Sequence, residues 1–184
     1  MSSDPIGGKP SPRLTYVCAS CGDVHELPLA FHAPAPAYWD AEAAKTDPAA
    51  WQLNADLCVT PHHQFIHGRL EIPLNGQADT FVWGVWASLS TQSYERTLDL
   101  WTTTGREDIE PCHFGWLSTE LGGIYGVSTL SLPVDVFTRP IGQRPSIILH
   151  PGEHPLAIEQ SRGMSVERAG EIASAILHGV PGAN

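Results

Sequence analysis

Cys18-x-x-Cys21-Gly22-x-x-His25 is the segment whose residue types and spacing point most directly to chemistry. Two thiolates on one turn can chelate a single ion, and Gly22 tolerates the positive φ that swings backbone N–H groups toward the sulfurs. This is half of a tetrahedral site, so the spacing predicts a zinc knuckle near the N-terminus, with a structural zinc as cofactor. The sequence holds no second C-x-x-C, and the remaining donors must come from His25, Cys58, His62, His63, Cys112, His113, His150 or His154. Two other readings stand beside zinc: thiols buried as small apolar groups, and a redox pair. The redox pair needs a helix N-terminus to stabilise its thiolate, and Gly22 with Leu27-Pro28 disfavours a helix there.

The other candidates are weaker. Cys58, in Asp56-Leu57-Cys58-Val59, sits at a strand end, where a lone Cys either packs as an apolar residue or supplies a third thiolate. His62 and His63 fall at a turn and His67 on the polar face of a strand, which makes them solvated side chains. His150-Pro-Gly-Glu153-His154 has a metalloprotease composition, but Pro151, Gly152 and Pro155 forbid the helix that aims two imidazoles at one ion. It is read as a loop able to give one ligand. Cys112 and His113 are neighbours on an extended segment and so face opposite ways. Nucleophile elbow, Walker loop and dinucleotide fingerprint are all absent, and the acidic residues are scattered. The balance is against an enzyme. The rival reading is a metal-dependent hydrolase whose open zinc position holds water, with Glu153 or Glu26 as base.

The elements that must position these groups follow from hydropathy. Leu14 to Cys18 reads as a strand running into the Cys turn. Pro36 opens a short helix through Ala44, and Asp47-Pro48 starts a second, with Trp39 and Trp51 as anchors. Residues 65 to 74 alternate, with Ile66, Gly68, Leu70, Ile72 and Leu74 on one face. Asn75-Gly76 then turns the chain into the apolar run Phe81 to Trp86, predicting an antiparallel hairpin at the middle of a sheet. Ser90 or Thr91 caps a helix through Tyr94, Leu98 and Trp101, ended by Gly105. Strands are expected at 128 to 138, demoted towards an edge or a bulge by Pro133, and at 145 to 149. A C-terminal helix capped by Ser165 carries Val166, Ala169, Ile172, Ala173, Ile176 and Leu177 on one stripe. The expected class is α+β: an antiparallel sheet with a central hairpin, short N-terminal helices and a C-terminal helix.

A length of 184 residues predicts one domain. Residues 1–13, rich in Pro, Gly and Ser, read as a tail, and 14–180 as the domain. The net charge of −10 argues against nucleic acid and against anionic membranes, and instead suits a protein partner with a basic surface. The N-terminus has no apolar run to serve as a targeting or membrane segment, so a cytoplasmic address is expected.

A second line of inference comes from a longer set of residues. Cys18-x-x-Cys21-Gly22-x-x-His25-x-Leu27-Pro28, Asp56-Leu57-Cys58 and Phe81-Val-Trp-Gly-Val-Trp-Ala-Ser-Leu-Ser90 are joined by Phe114-Gly-Trp-Leu117, Arg144-Pro145 and His154-Pro-Leu-Ala157 with Glu159-Gln160 and Gly163. On these the chain resembles an uncharacterised bacterial family, domain of unknown function 2199. The resemblance implies no reaction or substrate. His25, His154 and His178 match the family pattern, whereas His67 stands where Arg is usual and His150 where an acidic residue is usual. That narrows the metal pool to Cys18, Cys21, His25, Cys58 and His154, from which four are drawn. The expected function is a small protein holding a structural zinc and acting through protein or ligand contacts. An immunity or antitoxin-like binding protein is a further alternative.

Overall fold

The computed structural model describes residues 13–178. In chain order its strands and helices are β1 (Thr15–Val17), β2 (Val24–Glu26), β3 (Ala30–His32), α1 (Ala41–Thr46), β4 (Gln52–Leu53), β5 (Leu57–Val59), β6 (Gln64–Pro73) and β7 (Thr80–Leu89). There follow α2 (Thr91–Asp99), α3 (Arg106–Ile109), β8 (Cys112–Leu117), α4 (Gly122–Tyr125), β9 (Pro133–Phe137), β10 (Ser146–Leu149), α5 (Pro155–Arg162) and α6 (Val166–His178). Apart from Arg13, the tail expected over 1–13 lies outside the described residues. Two compact units emerge: the segment up to Pro28 together with Val166 onward, and Leu29–Ser165.

The larger unit corrects the expected α+β antiparallel sheet with a central hairpin. Strands β6, β7, β8 and β9 pair antiparallel in succession, β9 pairs antiparallel with β10, and β10 returns to pair with β6. The result is a closed five-stranded barrel with extra strands, and the hairpin is part of its wall. Because an odd number of strands cannot alternate direction all the way round a ring, one junction must be parallel. That junction is β10 with β6, where Ser146 lies opposite Arg69 and the Arg69 N–H donates to the Pro145 carbonyl at 2.8 Å. Gly68 permits the approach. A Cβ there would stand 2.6 Å from both Cγ1 and Cδ1 of Ile147 and 2.9 Å from the Pro145 oxygen.

The β6–β7 hairpin runs over ten pairs from Gln64↔Leu89 to Pro73↔Thr80, as the alternation and Asn75-Gly76 predict. Since side chains alternate faces, this register sets the interior. Leu70 lies opposite Trp83 and Ile72 opposite Phe81, and Val136 and Ile147 pair across β9 and β10, all buried. Pro133 is the first residue of a strand paired on both sides, where its missing N–H is tolerated. The opposite face of β6 and β7 is also covered. Cys58, Phe65 and Trp86 form a dry cluster against Ala33 and Trp39.

The helices differ from expectation at the N-terminal side. Asp40, through its side chain, caps α1 by accepting from the N–H groups of Glu42 and Ala43, so the helix starts five residues after Pro36. Residues 48–50 form a turn in place of a second helix. Ser90 does cap α2, accepting from the Ser93 N–H at 3.1 Å. In the smaller unit β1 and β2 form an antiparallel hairpin and α6 spans Val166–His178, burying Ala169, Gly170, Ile172 and Ala173. Ile176 and Leu177, placed on the same stripe by periodicity, are exposed.

Candidate metal centre

The Cys turn is the tip of the β1–β2 hairpin. Cys18 follows β1 directly; its N–H donates to the Asp23 carbonyl, and Gly22 returns an N–H to the Cys18 carbonyl, both at 2.9 Å. Gly22 adopts φ +79°, the left-handed conformation that a β-carbon disfavours. Register then puts His25 opposite Tyr16, and the His25 imidazole reaches back so that Nε2 lies 3.1 Å from the Cys21 Sγ.

The fourth group comes from α6. Donor atoms of Cys18, Cys21, His25 and His178 all lie within 4.8 Å of one another. Around a tetrahedral zinc with bonds near 2.0–2.3 Å, ligand atoms stand roughly 3.3–3.8 Å apart, so a contraction of about 1 Å suffices. The helix is held close to the hairpin because Gly170 faces Tyr16, where a Cβ would stand 2.7 Å from the Tyr16 Cβ. Four residues before His178, and so on the same helical side, the Ser174 hydroxyl accepts from the Ala19 N–H at 3.3 Å. The Cys21 backbone N–H, with help from Ser20 and the Ser174 hydroxyl, holds the buried Cys18 thiol down at about 6. A thiolate is the form that binds zinc.

The structure brings together Cys18, Cys21 and His25 from the expected pool and adds His178. Cys58 and His154 belong to the other unit. Cys58 is fully buried between Phe65 and Trp86, and burial pushes its thiol up to about 11, the behaviour of a small apolar core residue. His154 caps α5: Nδ1 accepts from the Leu156 N–H at 3.1 Å, so the proton sits on Nε2 and is donated to the Ser128 carbonyl at 3.2 Å. Both of its nitrogens are engaged. His67 is not solvated. It stacks on Trp86 with ring centroids 4.7 Å apart, and Nδ1 donates to the Ala55 carbonyl at 3.0 Å. Its buried Nε2 has no hydrogen-bond partner among the described residues. His178 matches the pattern of the resembled family but lies outside the expected metal pool, because nothing local to its helix marks it as a ligand.

The model of an uncharacterised protein family conserved in bacteria, DUF2199, matches residues 17–164. The chain belongs to this family. The DUF2199 match contains Cys18, Cys21 and His25 and stops short of His178. Neither the curated proteins nor the solved structures contain a match to this DUF2199 chain. Its described helices include none long and apolar enough to cross a membrane.

Proposed function

We propose that this DUF2199 protein is a non-catalytic, zinc-stabilised binding protein. Cys18, Cys21, His25 and His178 would hold one structural zinc that ties the β1–β2 hairpin to α6. The observation that carries this reading is the convergence of two thiols and two imidazoles from three separate segments within 4.8 Å. Four protein donors complete a tetrahedron and leave no position for a reacting water. The geometry also gives the hydrolase reading little support. Glu26 is next to His25 on a strand, so it faces the other way, and it accepts an ion pair from Arg13 at 2.7 Å. Glu153 belongs to the other unit. Activity would then lie in contacts, and the net charge of −10 favours a protein partner with a basic surface.

The test is metal content and its coupling to folding in the full chain. The expected result is about one equivalent of zinc, retained in Cys58→Ala and His154→Gln and lost in Cys21→Ser and His178→Ala. Chelation should lower the thermal stability of the smaller unit. Less than about a tenth of an equivalent, with no loss of stability on chelation, would overturn the proposal.

A further inference from the structure

The outer surface of β7 and β8 carries a cleft of about 700 Å³, lined by residues of the larger unit alone, at a size ordinary for a small-molecule site. Tyr38, Phe114 and Trp116 supply three half-exposed aromatic rings, the His63 imidazole joins them above the buried Phe65, and five serines line it between them. Phe114 and Trp116 face outward two residues apart on β8, and each is about half exposed, at 49% and 47%. β8 is hydrogen-bonded to β7 on one side and β9 on the other. A peptide strand therefore cannot add there, and any occupant must be recognised by side chains.

The lining fixes the ligand's chemistry. Among the described residues lining the cleft there is no Lys, Arg, Asp or Glu. The His63 imidazole is the one basic group in that lining; a charged ligand would find no permanent counter-charge there to repay its lost hydration, which favours a neutral occupant. Tyr38 and Phe65 already stack on each other at 6.0 Å and 14°, and Phe114 meets Trp116 edge to face at 5.1 Å and 84°. No slot is left between parallel rings for a flat aromatic guest, but single ring faces remain open. Ser88 and Ser118 already donate their hydroxyls to the Trp116 carbonyl and Ser90 donates to Ser93, so these keep acceptor capacity only, while the Ser131 hydroxyl can both donate and accept. Such a rim suits a ligand bearing hydroxyls of its own.

Ser131 is the second, independent sign. It is the sole non-glycine residue with positive φ among the described residues, at +60°. Its N–H donates to the Leu117 carbonyl at 2.8 Å, while its hydroxyl makes no hydrogen bond among the described residues. Backbone strain of this kind costs about 1–3 kcal/mol and gathers at ligand sites. A glycine would relieve it, yet the position presents a hydroxyl to the cleft.

We propose that this cleft binds a neutral saccharide, with a sugar ring stacked on Trp116 and sugar hydroxyls bonded to the serine rim, including Ser131. The test is titration of the full chain with glucose, galactose, N-acetylglucosamine, maltose and cellobiose, read by tryptophan fluorescence and indole N–H resonances. At least one sugar should give a saturable change with a dissociation constant of roughly 0.1–10 mM. Trp116→Ala should weaken it roughly tenfold or more. Ser131→Gly should weaken it while leaving the melting temperature equal or higher, which separates loss of binding from loss of folding. A 6-phosphate on the bound sugar should also weaken it. The proposal is overturned if none of the five saturates, if both variants bind as the wild type does, or if adenosine or the phosphorylated sugar binds better than any neutral one.

Discussion

Replacing Gly68 by Ala tests barrel closure, because a closed barrel and an open sheet give opposite signs. In an open sheet a strand glycine lacks a close cross-barrel neighbour, and Gly→Ala stabilises by roughly 0.5–1 kcal/mol through the unfolded chain. In the closed barrel the new methyl stands 2.6 Å from two carbons of Ile147. Carbon pairs prefer about 3.5–4.0 Å, so the overlap is on the order of 1 Å. The Pro145 oxygen, 2.9 Å away on the other side, is backbone and is fixed by the Arg69 N–H. Overpacking of this size costs about 1–3 kcal/mol, and the net expectation is a loss of about 2 kcal/mol. For a chain of this length that lowers the melting temperature by roughly 4–8 °C. All six tryptophans, from Trp39 to Trp116, belong to the barrel unit, so fluorescence during urea denaturation reports on that unit alone. Ile147→Ala removes both clashing carbons. In that background Gly68→Ala should cost at least about 1 kcal/mol less than in the wild type. If Gly68→Ala is neutral or stabilising, β10 does not close on β6 as described.

Two further expectations concern buried polar groups of the same unit. The Arg106 guanidinium donates to the carbonyls of Arg139 at 2.8 Å, Trp101 at 3.0 Å and Gln143 at 3.2 Å and lies over the Trp101 ring. Arg106→Ala should therefore cost about 3 kcal/mol in urea denaturation, with Arg106→Lys recovering less than half; a change under about 0.5 kcal/mol would contradict these contacts. Burial lowers His67 below its ordinary value of 6.5, with Arg144 and His32 pushing the same way and the Ala55 and Gly84 carbonyls opposing. The unfolded chain then binds a proton that the folded chain refuses, so the His67 contribution to stability is complete above 6.5 and falls as pH drops below it, by at most about 1.4 kcal/mol per pH unit. His67→Phe keeps the stack on Trp86 and should flatten that profile, leaving a residue from buried His113, which burial lowers in the same direction. An unchanged profile between about pH 5 and 6.5 would refute the assignment.

What could be read in the sequence was local. The Cys turn, the hairpin around Asn75-Gly76, the Ser90 cap and the helix over 166–178 are each set by residues within one turn or one strand pair. The barrel was not legible, because its closure joins β10 to β6 across more than seventy residues and depends on a clearance at Gly68 that alternation cannot register. The same long-range covering explains His67. Alternation places it on the face opposite Leu70, but the Cys58, Phe65 and Trp86 cluster with its covering segment makes that face dry. Three of the four converging metal donors lie within eight residues and were visible as a motif. His178 arrives from the far end of the chain; the family resemblance marks it, but only the packing of α6 on the hairpin brings it to the other three.

The most direct measurement is zinc K-edge X-ray absorption on the purified full chain. A closed site made by Cys18, Cys21, His25 and His178 gives two sulfurs near ~2.3 Å and two imidazole nitrogens near ~2.0 Å, and Cys58→Ala leaves the spectrum unchanged. Three protein ligands with a water oxygen, or a shell with a third sulfur that Cys58→Ala removes, would contradict it.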